Sequence, residues 1–229
     1  MQIAIDGPSG SGKSTIAKML SQKAGIVYMD TGALYRASGL FAIRMGTNLE
    51  DEAAIKGIID KMRLEIKYID GEQRTFLNGE DVTNAVRADE VGLAASAVGR
   101  FEFVRERVVS FIRDTASKQS VVMDGRDIGT VVLPNADVKI FLTASVDIRT
   151  RRRCVELAAL LGHDVDYDTI FAQIEQRDYQ DMNRKIAPLK KADDAVEIDA
   201  AHLTKEEVVD KILEIDAVTH FLKNEGDDE

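Results

Sequence analysis

The sequence predicts an α/β protein whose parallel sheet is covered by helices on both faces. Short apolar segments alternate with helical stretches along most of the chain, and a phosphate-binding motif joins the first apolar segment to the first helix. With 229 residues, of which 45% are hydrophobic, the chain can bury a sizeable core. The strand candidates are residues 2–5, 25–29, 120–124, 138–142 and 195–198. Short strands that are hydrophobic on both sides and separated by helices indicate a parallel sheet between helical layers.

The elements between these strands are mostly helices, and one segment departs from this pattern. Helical stretches are predicted near residues 13–24, 33–45, 101–117, 146–161, 166–182 and 204–222. Residues 64–69 and 74–77 instead alternate in polarity on either side of Asp70-Gly71-Glu72-Gln73, which is typical of a β-hairpin. We therefore predict an insertion at about residues 60–85, followed by a helix near residues 87–98.

The strongest motif is Gly7–Ser14, which reads G-x-x-x-x-G-K-S between a predicted strand and a predicted helix. Glycines let successive backbone N–H groups point at an anion, and the start of a helix favours a phosphate group. Lys13 can reach the β- and γ-phosphates of a nucleotide, and the Ser14 hydroxyl can bind Mg²⁺. A glycine-rich turn with a solvated lysine is the alternative, but the flanking strand and helix favour nucleoside triphosphate binding. The predicted binding residues are Gly7, Pro8, Ser9, Gly10, Ser11, Gly12, Lys13, Ser14 and Thr15.

The composition excludes several classes of partner. The net charge is −10, so neither nucleic acid nor an anionic membrane is an expected partner. Its first residues form a predicted core strand, which leaves no room for a signal peptide. A single cysteine, Cys154, excludes an internal disulfide. We expect a cytoplasmic protein in which only the acidic tail, residues 225–229, is disordered.

A first further cluster follows the second predicted strand. Asp30 and Thr31 can cap a helix that carries Tyr35 and Arg36. Ligands of an open parallel sheet bind where its strands end, which makes these side chains candidates for an acceptor site. An N-cap followed by an ordinary amphipathic helix explains the same residues. Both interpretations stay open on this cluster alone.

A second cluster follows the third strand. The strand delivers Asp124, Arg126 and Asp127 onto a loop that is bounded by glycines. Asp124 stands where many phosphate-loop enzymes have a carboxylate that binds Mg²⁺ through water. A charged turn with an internal Arg–Asp pair is the equally acceptable alternative.

A third cluster lies in the predicted helix 166–182 and just beyond it. Arg177, Asp181 and Arg184 are spaced i, i+4 and i+7, so we predict that they share one face of the helix. Salt bridges within the helix are the alternative explanation. The arginines at 149 and 151–153 form a weaker cluster, because consecutive helical residues point in different directions; at most one or two of them can face a ligand.

Together these segments resemble the bacterial cytidylate kinase family over nearly the whole chain. The matching strings, in the order and spacing of that family, are IDGPSGSGKST, MDTGALYR, LAASAVGRFEFVR, MDGRDIGTVVLPNADVKIFL and QRDYQDMNRKIAPL. The resemblance implies a P-loop fold with a five-stranded parallel sheet, an inserted α+β monophosphate-binding lobe at about residues 60–98 and a short lid at about residues 150–165. It implies one kinase domain over residues 1–229, and we expect a monomer.

The resemblance also assigns roles to individual residues. It implies that Ser96, Arg105 and Asp127 surround a cytosine, whose exocyclic amine donates to the carboxylate; uracil presents an acceptor at that position. The arginines that correspond to those holding the monophosphate and the transferring phosphoryl group are Arg36, Arg126, Arg177 and Arg184. Asp181, and Arg177 as a second candidate, match residues at the ribose hydroxyls, while Thr31 and Tyr35 line the acceptor pocket. The implied catalytic residues are Lys13, Arg126, Arg177 and Arg184, and the implied Mg²⁺ ligands are Ser14 and Asp124. Many members of the family have glycine where this chain has Ser14.

A phosphate acceptor also agrees with the residues themselves. The three histidines, His163, His202 and His220, lie outside every cluster and are expected at the surface. A monophosphate needs no strong base, because its second pKa is near 6. Arginine suits bidentate phosphate recognition better than lysine does. We therefore expect transfer of the γ-phosphoryl group from MgATP to CMP or dCMP, which gives ADP and CDP or dCDP.

Two other functions remain as alternatives. One is a kinase of the same fold that acts on UMP or on a non-nucleotide acceptor, against which Asp127 and Arg105 argue. The other is a nucleotide-dependent switch without kinase activity, which is disfavoured because the chain lacks an N-K-x-D motif.

Overall fold

The computed structural model describes residues 1–69 and 71–226. Asp70 of the predicted hairpin turn and residues 227–229 of the acidic tail therefore lie outside the described residues. The chain divides into two compact units. We call Met1–Tyr28 together with the described residues from Gln119 onward the core unit, and Met29–Lys118 the inserted unit. In the described part of the chain, no helix combines the length and the apolar character that crossing a membrane requires.

Eight strands form two sheets. In chain order they are β1 (Gln2–Asp6), β2 (Val27–Asp30), β3 (Leu64–Ile69), β4 (Glu72–Leu77), β5 (Glu80–Asp81), β6 (Val121–Gly125), β7 (Val138–Thr143) and β8 (Val196–Asp199). The larger sheet has five strands in the order β2-β6-β1-β7-β8, and β1 pairs in parallel with both β6 and β7. All five strands lie within two residues of their predicted positions, so the predicted parallel sheet is confirmed. Its central strand is inaccessible to solvent along Ile3, Ala4 and Ile5.

Nine α-helices are described. They are α1 (Lys13–Ala24), α2 (Thr31–Arg44), α3 (Glu52–Ile59), α4 (Asp89–Val98), α5 (Glu102–Ala116), α6 (Val146–Leu161), α7 (Tyr167–Asn183), α8 (Lys205–Leu213) and α9 (Asp216–Gly226). The single helix predicted over residues 204–222 is wrong, because the chain breaks between α8 and α9. The hydroxyl of Thr219 donates to the carbonyl of Leu213 at 2.8 Å and so satisfies one of the last carbonyls of α8. Both helices bury apolar residues with the same period, so the hydrophobic pattern conceals the break.

The inserted unit combines helices with the smaller sheet. β3 and β4 are antiparallel, from the pair Leu64–Leu77 to the pair Ile69–Glu72, which confirms the predicted hairpin. β5 extends this sheet, and α3 is a further helix that the sequence interpretation missed. α2 and α4 pack closely at Gly39, where an added Cβ would lie 2.5 Å from the backbone nitrogen of Ala95. The glycine is therefore required for this contact.

Candidate active site

The phosphate loop connects β1 to α1 in the core unit. Gly7 passes so close to β7 that an added Cβ would lie 2.0 Å from the carbonyl oxygen of Leu142. Gly12 occupies the N-cap of α1 with φ of 92°, a conformation that favours glycine, and it has no side chain with which to cap the helix. The first N–H groups of α1 therefore face the loop without a side-chain cap, which is the arrangement that attracts phosphate.

Lys13 is held inside this loop. Its ammonium group donates to the carbonyl of Pro8 at 2.7 Å and to the hydroxyl of Ser11 at 3.2 Å, and only 5% of the residue is exposed. The pKa of Lys13 is lowered from 10.5 to about 7, mainly by burial and then by the charge of Arg126, whereas Asp124 and Asp6 act in the opposite direction. The loop thus contains a desolvated cation that a phosphate group would stabilise.

Ser14 and Asp124 form a hydrogen-bonded pair of oxygen-bearing side chains beside this lysine. The Ser14 hydroxyl donates to Oδ2 of Asp124 at 2.7 Å, and the Tyr28 hydroxyl donates to Oδ1 of the same carboxylate at 2.7 Å. A hydroxyl and a carboxylate are oxygen ligands of the type that Mg²⁺ prefers. Among the described residues, no group of three or more His, Cys, Asp and Glu side chains could hold a metal. A magnesium ion here would therefore take most of its ligands from nucleotide phosphates and water, as this ion usually does.

Four predicted residues meet in an ion-pair cluster on the same unit. Arg126 Nε lies 2.6 Å from Asp181 Oδ2, and Arg184 NH2 lies 2.9 Å from Asp127 Oδ1. A longer contact of 3.9 Å joins Arg184 to Asp181. Arg126 is also near enough to the phosphate loop to lower the pKa of Lys13. The core unit therefore holds arginines and carboxylates together next to the phosphate loop.

The helical spacing that predicted one shared face does not extend to Arg184. α7 ends at Asn183, and Arg184 follows it in an extended conformation with φ of −64° and ψ of 141°. Its Nε donates to the carbonyl of Ala187 at 2.5 Å, where the chain turns back with a positive φ. The predicted i+7 relation is thus wrong as helix geometry, although Arg184 does reach Asp181. Arg177 lies on α7 and is exposed.

The inserted unit carries the remaining predicted residues. Thr31 is buried at the start of α2, which Asp30 caps by accepting the N–H of Ala33 at 3.0 Å. The guanidinium of Arg105, which is 7% exposed, lies over the Tyr35 ring at 5.3 Å. Arg36 is half-buried on α2. Ser96 is exposed on α4, where its hydroxyl donates to the carbonyl of Gly92 at 3.2 Å.

Gln73 holds the start of α2 in place. Its side-chain oxygen accepts the N–H of Asp30 at 2.9 Å, and its amide donates to the Asp30 carbonyl at 3.2 Å. This glutamine lies on β4, so the hairpin of the inserted unit supports the helix that carries Thr31, Tyr35 and Arg36. The three histidines are all exposed, as predicted.

The sequence interpretation missed a buried ion pair that forms hydrogen bonds with the backbone of the phosphate loop. Arg149 on α6 lies 2.5 Å from Asp178 on α7, and both side chains are buried. Arg149 donates to the carbonyl of Ser9 at 2.7 Å, while Asp178 accepts the N–H of Ser9 at 2.8 Å. Both backbone polar groups of Ser9 are thereby fixed. Nothing in the sequence distinguishes Arg149 from its neighbouring arginines, because the pairing depends on how α6 and α7 pack.

We expect Arg149→Met to lower the free energy of unfolding by about 3–5 kcal/mol, since it leaves the buried Asp178 carboxylate without its cation. Urea unfolding measures this loss. The matched control is Arg151→Met on the same helix, whose salt bridge with Asp147 is exposed and should be dispensable. Equal losses in the two variants would contradict a special role for the buried pair.

The chain is similar to known proteins over nearly its whole length. A family model described as cytidylate kinase matches residues 3–217. A cytidylate kinase from Caldicellulosiruptor bescii is 47% identical over 94% of this chain and 95% of its own length, and one from Bacillus subtilis is 45% identical over 93% and 95%. Among solved structures, an uncharacterized protein from Eubacterium ventriosum is 17% identical, with a TM-score of 0.50 and coverage of 93% of this chain and 96% of that chain. The sequence matches extend over nearly the full length of each protein, while the structural likeness concerns the fold alone.

Proposed function

This chain belongs to the cytidylate kinase family and transfers a phosphoryl group from ATP to CMP or dCMP; we propose here which of its residues bind the substrates and how they act. The observation that carries the proposal is the proximity of two cations in the core unit. Arg126 lies close enough to Lys13 to lower the pKa of the lysine, because both side chains carry positive charge. Two cations held against their mutual repulsion suit a ligand that brings several negative charges, as two phosphorylated substrates do.

The triphosphate of ATP occupies the phosphate loop, residues 7–15. The backbone N–H groups at the start of α1 hold its oxygens, and Lys13 turns from its contacts with Pro8 and Ser11 toward the β- and γ-phosphates. The ammonium then neutralises charge that develops on the transferring group. Ser14 and Asp124 would hold Mg²⁺, Asp124 directly or through water, and the ion supplies further neutralisation of the phosphate oxygens when it is bound.

The acceptor monophosphate is recognised by arginines. In the core unit, we assign Arg126, Arg177 and Arg184 to the acceptor phosphate and the transferring phosphoryl group, and Asp181 to the ribose hydroxyls. Arg126 already bonds to Asp181 at 2.6 Å, which keeps its guanidinium extended in a fixed direction before substrate arrives. Preorganisation of this kind reduces the cost of ordering a long side chain on binding.

Asp127 reads the base in this proposal. Its carboxylate is buried and accepts a hydrogen bond from Arg184, and its oxygens can accept a further hydrogen bond from the exocyclic amine of cytosine. Uracil would place an oxygen acceptor against this carboxylate. A site built for one hydrogen-bonding group can reject an analogue that lacks it by about 10⁴-fold.

The inserted unit supplies further acceptor contacts in this proposal. Thr31 and Tyr35 line the acceptor pocket, and Arg36 binds the monophosphate. Arg105 and Ser96 satisfy the ring acceptors of cytosine. The stacking of Arg105 on Tyr35 supports this role, because it holds the guanidinium of a buried arginine in one orientation.

No side chain is required to act as a base. A nucleoside monophosphate is mostly ionised at neutral pH, so its oxygen attacks the γ-phosphorus without giving up a proton. The exposed positions of the histidines agree with such a mechanism. Catalysis then consists of positioning two nucleotides and neutralising their charges, which are the contributions that phosphoryl transfer chiefly demands.

Several predictions about organisation accompany this function. We propose a single kinase domain over residues 1–229, with a monophosphate-binding lobe at about residues 60–98 and a lid at about residues 150–165. The lid would exclude water, which otherwise hydrolyses ATP. A monomeric state, a cytoplasmic location and the lack of nucleic acid and membrane partners also stay predictions.

We expect rapid ADP release from MgATP with CMP or dCMP as acceptor and only slow release with UMP, with AMP or without acceptor. A coupled assay on the purified protein with all five conditions in parallel measures this. A preference for UMP or AMP would overturn the proposed role of Asp127. Intact ATP binding without acceptor-dependent turnover would instead favour a nucleotide-dependent switch.

A further inference from the structure

Asp6 is a buried carboxylate to which the proposed mechanism gives no part. It is the last residue of β1 and directly precedes Gly7 of the phosphate loop, with 5% of its surface exposed. Its pKa is raised to about 6, mainly by burial and in small part by the neighbouring charge of Asp127, against the opposing effects of two backbone N–H groups and Lys13. A carboxylate in such surroundings costs stability, so its hydrogen bonds need an explanation.

Both oxygens of this carboxylate bind one distant loop. Oδ1 accepts the N–H of Ile128 at 2.8 Å, and Oδ2 accepts the N–H of Gly129 at 2.7 Å. These residues begin a short π-helical turn, Ile128–Val132, which comes immediately after Arg126 and Asp127. The same turn folds back on Asp127, whose carbonyl accepts the N–H groups of Val131 at 2.9 Å and Val132 at 3.0 Å.

Gly129 of this turn packs closely against Lys139 and Asp6. A Cβ added at Gly129 would lie 3.4 Å from Oδ2 of Asp6 and 3.1 Å from the Lys139 side chain. A side chain at this position would therefore crowd Lys139 and would meet the Asp6 carboxylate at the edge of ordinary contact distance. Asp6 fixes the two peptide groups that follow Asp127, and these determine the direction in which the Asp127 side chain leaves the backbone.

We infer that Asp6 is a positioning residue for acceptor recognition: through the N–H groups of Ile128 and Gly129 it holds Asp127 in the orientation that selects cytosine. This inference rests on the role proposed above for Asp127. In this role Asp6 needs no contact with either nucleotide. Because it is joined to Gly7 by a peptide bond, the strand end that begins the ATP-binding loop also orients the base-reading loop.

Asp6→Asn tests this inference with almost no change in size. The amide oxygen can still accept one N–H, but the NH2 group faces the other N–H donor, so one hydrogen bond to a charged acceptor is lost. We expect kcat/KM for CMP to fall about 10- to 100-fold, mainly through a higher KM for CMP. The ratio of kcat/KM for CMP to that for UMP should fall about 10-fold or more, while KM for ATP changes by less than about 3-fold.

The matched control is Asp137→Asn. Asp137 also accepts a backbone N–H of β1, that of Gln2 at 2.7 Å, but it lies at the exposed opposite end of the strand. This variant should leave all the kinetic constants within about 2-fold. If Asp6→Asn fails to fold, as judged by circular dichroism, Gly129→Ala crowds Lys139 and Asp6 from the side of the loop and should lower the CMP/UMP ratio in the same direction.

Asp127→Asn, assayed in parallel, separates this inference from the proposed function. A lower CMP/UMP ratio in Asp6→Asn and Asp127→Asn supports the inference. A lower ratio in Asp127→Asn alone overturns it and leaves the proposed function intact. An unchanged ratio in both overturns the role of Asp127 and the inference with it. Equal increases in KM for ATP and CMP in Asp6→Asn, with the ratio unchanged, would show a structural residue only.

Discussion

Asp127→Asn is expected to lower the preference of the enzyme for CMP over UMP by at least about 100-fold. The carboxylate can only accept hydrogen bonds, which suits the exocyclic amine of cytosine, whereas the amide can also donate to the oxygen of uracil. The change therefore removes discrimination against UMP as well as affinity for CMP. Its upper limit is about 10⁴-fold, the discrimination that one such hydrogen-bonding site can reach. Values of kcat/KM for CMP and UMP at saturating ATP give this ratio.

The ratio is the informative quantity because Asp127 also bonds to Arg184. Loss of that ion pair, which measures 2.9 Å, can lower the rate with every acceptor without changing the preference between bases. KM for ATP and the free energy of unfolding should change little by comparison. If turnover with CMP and with UMP fell by the same factor, Asp127 would be a structural partner of Arg184 and the base would be read elsewhere.

The parts of this protein that the sequence predicts correctly depend on neighbouring residues. The phosphate loop is one contiguous segment. Its glycines set the backbone conformation, and Lys13 and Ser14 stand at fixed positions within it. The central strands can also be predicted from the sequence, because burial on both faces requires an apolar run in each strand. Local rules of this kind predict the sheet, most helices and the strand–loop–helix geometry of the phosphate loop.

The parts that could not be predicted depend on contacts between distant segments. Arg149 reaches Ser9 across 140 positions, and Asp6 reaches Ile128 across 122, so no local pattern identifies either contact. The break after α8 is hidden for another reason, since the apolar period continues through it. One feature of Asp6 is visible in the sequence, because a charged residue at the end of a buried strand needs hydrogen-bond partners. The sequence alone does not identify those partners.

Lys13→Met is expected to lower kcat about 1000-fold. At about 4 Å from a phosphate oxygen and an effective dielectric constant near 20, the ammonium contributes about 4 kcal/mol, and about 1.4 kcal/mol corresponds to a factor of ten in rate. Methionine keeps the unbranched chain but removes the charge. The folded protein should keep its stability, because burying this cation, which is 5% exposed, is itself unfavourable. Steady-state turnover of CMP with MgATP, together with a thermal unfolding scan, tests both expectations.

Lys18→Met is the matched control for this variant, because it makes the same substitution on the same helix. Lys18 is exposed and lies 5.7 Å from the centre of the Tyr28 ring, so its removal should leave turnover within about 2-fold. A large effect in both variants would mean that the loss reflects damage to α1 rather than a missing charge at the phosphates. A Lys13→Met enzyme with nearly normal kcat would contradict the proposed role of Lys13 and would shift the charge stabilisation to Arg126 and its partners.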